Sequence, residues 1–295
     1  MVYNMYIKTI LLQVTAMLCC QVIPGKINLT NPNNELINKI KTTEGFVALW
    51  KFDEIAGKNR IAEGENRYPL KEYGGRISRI NEGPVSGYSI KLNGTNYLSL
   101  PNKKTRQLNI SGKDNEVTVI AWIKWTGEQT GFVGGMWNEY QDGGKRQYGL
   151  FISLPHYNGK DQVCGHISSS GKATTPFPYS IDYSASKQTV PKNEWCCVAF
   201  TYDGEYIKSY LNGEFRSREP ELINHTLGFE GYPDGLIQSK NPYYFPDGMG
   251  NNGSDFTVGA VLLKTGMGNF FKGLIGGLAV FNRALKETEI ESLVP

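Results

Sequence analysis

The stretch WCCVAFTYDGEYIKSYLNG, residues 195–213, contains two apolar runs joined by one tight-turn signal and followed by another. Asp203-Gly204 separates residues 195–202 from residues 206–211, and Asn212-Gly213 follows the second run. Such dipeptides favour the two-residue turns of β-hairpins, because Asn, Asp and Gly tolerate the backbone conformations that these turns need. The stretch therefore predicts successive antiparallel strands.

The same pattern extends in both directions along the chain. Residues 89–100 hold two short runs around Asn93-Gly94, and residues 117–125 (VTVIAWIKW) alternate as a half-buried strand does. Further strand-like runs lie at residues 46–52, 131–137, 147–154, 256–263 and 273–281, and one short helical pattern lies at residues 285–293. Because no ordinary helices alternate with these strands, we exclude a parallel α/β sheet. The pattern predicts an all-β protein, with two antiparallel sheets packed as a sandwich.

The first two dozen residues have the character of an export signal. Lys8 precedes the apolar stretch ILLQVTAMLCC at residues 10–20, which is too short to span a bilayer. We therefore expect a signal peptide at residues 1–25, a lead-in or linker at residues 26–44 and one domain at residues 45–295. Export would place the protein outside the cell, at the cell surface or in a periplasm. Release as a soluble protein and a lipid anchor at Cys19 or Cys20 both stay open, and an anchor of this kind is the one membrane contact that we expect.

Charge and cysteine content narrow the functional class. The formal net charge is +3, and the lysines and arginines are scattered, so the sequence shows no basic footprint for nucleic acid. Three cysteines would remain after export: Cys164, Cys196 and Cys197. Neighbouring strand residues face opposite sides, so at most one of Cys196 and Cys197 could pair with Cys164. Buried unpaired thiols are the favoured interpretation, and the cysteine spacing does not suggest zinc.

The ordered set of strand motifs resembles a known family. Its pieces lie at residues 49–53, 89–95, 117–123, 195–204, 210–213 and 273–285, in this order. Together they are similar to the laminin G-like jelly-roll domain of the concanavalin A-like lectin/glucanase superfamily. The resemblance implies one convex and one concave sheet. It also implies binding of carbohydrate or protein partners across the concave face or its rim loops, and some related proteins are glycoside hydrolases or polysaccharide lyases.

One departure from the family concerns calcium. Similar domains often carry an acidic pair in the closing strand that supports a calcium site, and this chain has Gly276 and Gly277 there. Asp53, Asp203 and Asp255 are the remaining oxygen ligands that could hold calcium, but a hard cation needs several converging oxygens. We therefore expect no cofactor and no metal.

Two aromatic segments are the candidate ligand-binding surfaces. Sugars stack their C–H faces on aromatic rings while amides and charged groups bond the hydroxyls. One segment, residues 137–148, supplies Trp137, Asn138, Tyr140, Arg146 and Tyr148. The other is the insertion between Leu227 and Phe256, from which we select Tyr243 and Tyr244. A loop of this length is more often functional than idle.

A catalytic alternative rests on fewer residues. Glycosidases need two carboxylates across a cleft, and the Glu-x-Asp-x-x-Glu spacing of laminarinase-type hydrolases is absent from the sequence. Glu139 could act with Asp142 as acid and base. A lyase could instead use Tyr148 or His166 to abstract a proton and Arg146 or Gln162 to neutralise the charge of the substrate. A structural role for these residues is the competing interpretation. We predict an exported glycan-binding protein that contacts a polysaccharide, with a carbohydrate-active enzyme and a protein-adhesion module as the alternatives.

Overall fold

The computed structural model describes residues 32–140, 143–155, 157–175, 177, 179–223 and 236–295. The expected signal peptide lies outside the described residues. The strands are β1 (Phe46–Trp50), β2 (Lys71–Tyr73), β3 (Ser78–Ile80), β4 (Ser89–Asn93), β5 (Tyr97–Leu100), β6 (Val117–Trp125), β7 (Gly131–Met136), β8 (Tyr148–Leu154), β9 (Gly159–Ile167), β10 (Tyr183–Thr189), β11 (Trp195–Tyr202), β12 (Tyr206–Leu211), β13 (Glu214–Phe215), β14 (Glu221–Ile223), β15 (Leu236–Gln238), β16 (Tyr243–Tyr244), β17 (Phe256–Val258), β18 (Val261–Leu263), β19 (Gly266–Gly268) and β20 (Lys272–Phe281). The α-helices are α1 (Pro32–Thr42) and α2 (Glu287–Glu291), and short 3-10 helices lie at Asn102–Lys104 and Arg106–Leu108.

Two antiparallel sheets form the sandwich. The nine-stranded sheet has the order β13-β12-β11-β6-β20-β4-β3, with β1 paired to β20 and β16 paired to β12. The seven-stranded sheet has the order β10-β9-β8-β7-β17-β5-β2. The hairpin predicted at residues 195–213 is present as β11 and β12, which pair antiparallel across Asp203-Gly204. The all-β jelly-roll prediction is confirmed.

Strand alternation separates the core from the outer faces of the sheets. In β6, Val119, Ala121 and Ile123 pack into the main core together with Leu150 and Ile152 of β8 from the other sheet. The intervening residues Ile120 and Trp122 of β6 belong to a second apolar cluster. A third cluster contains Phe151 and Cys164, which alternate with inward residues of β8 and β9 and therefore lie on the outer face of the seven-stranded sheet.

The segment expected to be a linker is largely a helix. Helix α1 occupies Pro32–Thr42, and its residues Leu36 and Ile40, four apart on one helical face, are buried in the second cluster with Trp122. A helix was not predicted within the expected lead-in or linker, because the polar composition of the segment hid this narrow apolar stripe. Packing against the sheet stabilises such a short polar helix more than its own propensity does.

Gly276 and Gly277, at the positions where similar domains carry an acidic pair, are packed tightly against neighbouring side chains. A Cβ at Gly276 would lie 2.8 Å from Pro84 Cδ, and one at Gly277 would lie 2.7 Å from Val85 Cγ2 and 3.0 Å from Trp122 Cε3. All three distances are too short for ordinary contact. The loop at residues 84–85 can therefore approach the sheet only because residues 276 and 277 have no side chains.

Substituting Gly277 should therefore overpack this contact. We expect Gly277→Ala to lower the free energy of unfolding by about 1–3 kcal/mol, because Val85 and Trp122 must shift to admit the methyl group. Urea unfolding monitored by tryptophan fluorescence measures this change. An unchanged midpoint would contradict the close packing at Gly277.

The three described cysteines are free and buried, and each belongs to a different apolar cluster. Cys196 and Cys197 point to opposite sides of β11, as the sequence predicts for neighbouring strand residues. Burial raises the pKa of Cys164 to about 12 and that of Cys196 to about 11, so neither thiol ionises at neutral pH.

The described residues contain no group of three or more His, Cys, Asp or Glu side chains arranged to hold a metal ion. Of the aspartates considered for calcium, Asp203 accepts bonds from the backbone N–H groups of Glu205 and Tyr206 in its own turn. Asp255 accepts from the backbone N–H of Asn102. In the same part of the chain, no helix has the length and apolar character needed to cross a membrane.

Candidate functional site

A row of four paired residues crosses the outer face of the seven-stranded sheet. Gly135 of β7 pairs with Gly149 of β8, Gly149 pairs with His166 of β9, and His166 pairs with Tyr183 of β10. Directly paired residues of neighbouring strands present their side chains on the same face. Half of the row therefore has no side chains. Three rings pack over Gly149, with Phe132 at 3.0 Å, Phe151 at 3.1 Å and Trp137 at 3.5 Å from where a Gly149 Cβ would lie.

His166 is held among aromatic rings. Its ring centroid lies 4.7 Å from that of Trp137, 5.2 Å from that of Phe151 and 4.8 Å from that of Tyr183. Burial, followed by the positive charges of Lys240 and Arg146, holds the pKa of His166 well below its usual value. The imidazole is therefore neutral at physiological pH, and its buried Nδ1 has no hydrogen-bond partner among the described residues.

Glu139 connects the rings to a buried arginine. Trp137 Nε1 donates to Glu139 Oε1 at 2.9 Å, and Arg146 Nη2 lies 3.3 Å from Glu139 Oε2. Arg146 Nη1 also donates to the carbonyl of Gly171 at 3.2 Å. The carboxylate is thus fixed at one end of the indole, with its charge compensated from the protein side.

A cavity of about 200 Å³ lies over this row of residues. Trp137, Phe151, Tyr157, Tyr179 and Tyr183 supply its aromatic lining. Glu139, His166, Ser180, Thr130 and Asn269 supply its polar lining. We refer to this space as the aromatic cavity.

Two loops position the walls of the aromatic cavity. The loop after β7 is fixed at its start, because Glu139 N donates to the Leu262 carbonyl at 2.8 Å and Asn138 Oδ1 accepts from Tyr140 N at 2.9 Å. On the opposite side, the Tyr183 hydroxyl donates to the Tyr157 carbonyl at 2.8 Å. The rings therefore have defined orientations before any ligand binds.

The structure brings some predicted site residues together and separates others. Trp137, Glu139 and His166 line the aromatic cavity, and Arg146 supports it through Glu139. Asn138 is buried and caps the turn behind the cavity, whereas the exposed Tyr140 belongs to the same loop but does not line it. The remaining residue of the catalytic hypothesis, Asp142, lies outside the described residues.

Tyr148 has to be removed from the predicted ligand surface. Its side chain is fully buried in the main core, on the opposite face of β8 from the cavity, and its hydroxyl donates to the Leu108 carbonyl at 2.6 Å. Burial also raises its pKa well above the usual value, which is unfavourable for a proton-abstracting base. The physical reason for the error is that the sequence fixes the alternation along β8 but not which of its two faces meets the core.

Tyr243 and Tyr244 lie elsewhere, at the edge of the nine-stranded sheet in β16. Tyr243 packs against the main core, and its hydroxyl donates to Asp182 Oδ1 at 3.0 Å. Tyr244 is exposed and contacts the Tyr206 ring at 5.3 Å. Neither residue lines the aromatic cavity. Tyr243 is connected to it through its bond to Asp182, which precedes the lining residue Tyr183.

Four residues that line the aromatic cavity were not predicted from the sequence. Tyr157, Tyr179, Ser180 and Tyr183 all come from the segment between β8 and β10, which no motif distinguished. The density of aromatic residues within residues 157–183 is the one signal that could have identified it.

Comparison with known proteins places the fold. The family model described as the concanavalin A-like lectin/glucanases superfamily, Laminin_G_3, matches residues 92–231. Residues 92–231 are thus similar to a laminin G-like domain of this superfamily, and the two antiparallel sheets described above have the matching jelly-roll architecture. A search of curated proteins found no match.

Several solved structures share this architecture. Domain 4 of AbnA, a GH43 extracellular arabinanase from Geobacillus stearothermophilus solved with arabinotriose, is 18% identical with a TM-score of 0.53, covering 85% of this chain and 98% of that domain. A mutant of Trypanosoma rangeli sialidase displaying trans-sialidase activity is 12% identical with a TM-score of 0.50, covering 88% of this chain and 37% of that one. The CBM40 of Ruminococcus gnavus IT-sialidase, bound to α2,3 sialyllactose, is 14% identical with a TM-score of 0.47, covering 70% and 96%. At these identities, the likeness to the two structures with TM-scores of 0.53 and 0.50 concerns the fold alone.

Proposed function

We propose that the protein is a glycan-binding jelly roll that holds one sugar residue of a polysaccharide in the aromatic cavity. The observation that carries this proposal is the cavity itself, which combines flat aromatic walls with unpaired polar groups on a pre-formed sheet surface. Sites for small ligands have this composition: mostly apolar and aromatic, with a few placed polar groups.

The polar groups of the cavity match the needs of a sugar. His166 Nδ1 and Ser180 Oγ are buried atoms without hydrogen-bond partners in the described part of the chain. A buried polar group without a partner costs about 1–3 kcal/mol, so each such atom in a native structure calls for a ligand or a water. Sugar hydroxyls both donate and accept, and they could satisfy His166, Ser180 and the Glu139 carboxylate together.

The size of the cavity limits the ligand. At about 200 Å³ it is smaller than the cavities that enclose drug-sized molecules, which begin at about 300 Å³. One sugar ring is the unit that such a space accommodates, with the rest of a chain leaving past the half-exposed ring of Tyr179. The arabinotriose bound by domain 4 of AbnA supports a sugar as ligand on this fold.

The number of carboxylates in the described cavity lining favours binding over catalysis. Glu139 is the one carboxylate among the described lining residues, and both of its oxygens are engaged by Trp137 and Arg146. Glycoside hydrolysis normally requires a pair of carboxyl groups.

The test is a glycan screen with two tyrosine variants of equal exposure. Tyr179 is 42% exposed at the cavity, and Tyr73 is 40% exposed on β2, away from its lining. We expect Tyr179→Ala to weaken binding of the retained glycan about tenfold, or about 1.4 kcal/mol, because a stacking surface is lost. Tyr73→Ala should bind like the wild type in isothermal titration calorimetry.

Each alternative has its own outcome in this screen. Release of reducing ends or unsaturated products, abolished in Glu139→Gln or His166→Ala, would establish an enzyme instead. Equal affinity of the Tyr179→Ala and Tyr73→Ala variants would remove the cavity from the binding site. Loss of binding in Tyr244→Ala alone would place the binding site at β16. Adhesion to a purified protein partner without glycan retention would support a protein-adhesion module.

We also propose export on the basis of the apolar stretch at residues 10–20. The protein would then meet its polysaccharide ligand at the cell surface or in the medium. Expression of the full chain followed by fractionation and N-terminal sequencing tests this, with a mature N-terminus near residue 25 as the expected result.

A further inference from the structure

We propose that the aromatic cavity selects an uncharged sugar residue and rejects residues that carry a carboxylate, such as uronic and sialic acids. This inference rests on the proposed function, since it specifies the ligand of the same cavity. It follows from the charges that line the cavity and from the way in which the neighbouring cations are already committed.

The described lining contains one acidic side chain. Glu139 is an acid, and neither lysine nor arginine is among the lining residues that the structure describes. His166 faces Trp137, Phe151 and Tyr183 as a neutral imidazole, because burial and the nearby cations lower its pKa. Recognition of a carboxylate normally uses an arginine or lysine, most specifically through paired N–H donors.

Arg146 is one of the two buried cations that act on His166, and it is paired with Glu139. Its side chain is 4% exposed, with Nη2 directed to Glu139 and Nη1 to the Gly171 carbonyl. Arg146 itself does not line the cavity. Its buried Nε has no hydrogen-bond partner among the described residues, but a ligand in the cavity would contact Glu139 rather than Arg146, because of the two only Glu139 belongs to the lining.

Lys240 is the other buried cation, and it lies behind the lining. Its Nζ donates to the Ile181 carbonyl at 3.2 Å and lies 4.0 Å from the ring centroid of Tyr183 and 4.9 Å from that of Tyr243. Tyr183 lines the cavity, and Lys240 does not. Its fully buried ammonium group therefore offers no N–H to a ligand.

A ligand carboxylate in the cavity would consequently lie near the Glu139 carboxylate, and the described lining offers it no cation of its own. The negative group would lie in the same small space as Glu139, removed from water, and burying an unpaired charge is costly. A neutral sugar has no such cost. Its hydroxyls can donate to Glu139 and to His166 Nδ1 and can accept from Ser180.

The experiment compares matched sugars at pH 8, where ordinary histidines are neutral. The probes are the neutral monosaccharide best retained in the glycan screen, its C6-oxidised uronic acid, and the methyl ester of that acid. We expect wild-type protein to bind the uronic acid at least tenfold more weakly than the neutral sugar, and the ester to recover most of the loss because its charge is removed. Titration calorimetry gives all three affinities without a variant.

A substitution tests the cause. Glu139→Gln keeps an acceptor oxygen for a hydroxyl but leaves Arg146 without its carboxylate, so we expect its preference for the neutral sugar to fall at least tenfold or to reverse. Circular dichroism confirms that the variant is folded. Equal or tighter binding of the uronic acid by the wild type would overturn the inference while leaving the proposed function intact. Failure of every glycan to bind would overturn the proposed function and this inference with it.

Discussion

Replacing Trp137 with alanine should weaken sugar binding about a hundredfold and lower the free energy of unfolding by about 3–5 kcal/mol. The indole is 1% exposed, lies 5.8 Å from the Phe151 ring and 4.7 Å from the His166 ring, and orients Glu139 through Nε1. Its removal would open a void over Gly149, free the carboxylate and delete one wall of the cavity. Urea unfolding and titration calorimetry measure the two losses separately.

Trp50 is the matched control for this experiment. It is equally buried, but it lies in the main core, where its ring stacks on Phe256 at 5.1 Å. Trp50→Ala should therefore cost a similar free energy of unfolding while the folded protein binds sugar normally. If both variants lose stability but Trp137→Ala keeps wild-type affinity, the cavity is structural and the binding site lies elsewhere.

Trp137→Phe separates the hydrogen bond of the indole from its bulk. Phenylalanine keeps an aromatic wall but cannot donate to Glu139, so we expect a loss of about 1–3 kcal/mol in stability from the smaller ring and the lost bond. Sugar affinity should fall between those of the wild type and Trp137→Ala.

Local patterns predicted the fold because the signals for strands and turns are short-range. Asp203-Gly204 specified the β11–β12 hairpin, and the alternation of residues 117–125 divided the side chains of β6 into two sets, one of which enters the main core. The resemblance of the ordered motifs to a jelly roll then supplied the two-sheet architecture, which no single strand could. These features depend on residues close together in sequence or on an ordered set of motifs.

The candidate site was predicted only in part, because its contacts depend on residues that are far apart in sequence. Trp137 and His166 were both named from the sequence, but their contact depends on the pairing of Gly149 with His166 across β8 and β9. A shift of one residue in this register would move His166 to the core face. Register between distant strands is not readable from composition, and the same limitation placed Tyr148 on the wrong face.

Lys240 provides the second large effect, on stability rather than binding. Burial, only partly offset by nearby acids, lowers the pKa of this fully buried lysine from 10.5 to about 7. The charged and titratable groups around it are Cys164, His166, Asp182, Arg218, Glu221, Tyr183 and Tyr243. An unfolded chain would keep the Lys240 proton up to about pH 10.5, whereas the folded chain releases it above about pH 7.

This difference fixes the sign of the pH dependence. Between about pH 7 and 10.5 the unfolded state binds more protons, so Lys240 makes the wild type more stable as the pH rises, by about 1.4 kcal/mol for each pH unit. Below about pH 7 both states hold the proton, and the cost of burying the charge is complete and constant. Lys240 thus destabilises the fold most at neutral and acidic pH.

We therefore expect Lys240→Met to raise the free energy of unfolding at pH 7 by roughly 2–4 kcal/mol. The gain is less than the full cost of the buried charge, because the bond to the Ile181 carbonyl and the contacts with the Tyr183 and Tyr243 rings are lost. Its advantage over the wild type should shrink steadily from pH 7 to pH 9. Urea unfolding of both proteins at pH 6, 7, 8 and 9 measures this difference, in which the titration of groups common to both largely cancels.

The exposed Lys187 of β10, the strand that also carries Tyr183, serves as the control, and Lys187→Met should follow the wild type at every pH. A constant difference between Lys240→Met and the wild type from pH 6 to pH 9 would mean that Lys240 keeps an ordinary pKa when folded. Its ammonium group would then be charged beneath Tyr183 at neutral pH, which is the condition under which the cavity could attract an acidic sugar. The pH series on Lys240 is for this reason also an independent check on the charge balance from which selection of a neutral sugar was inferred.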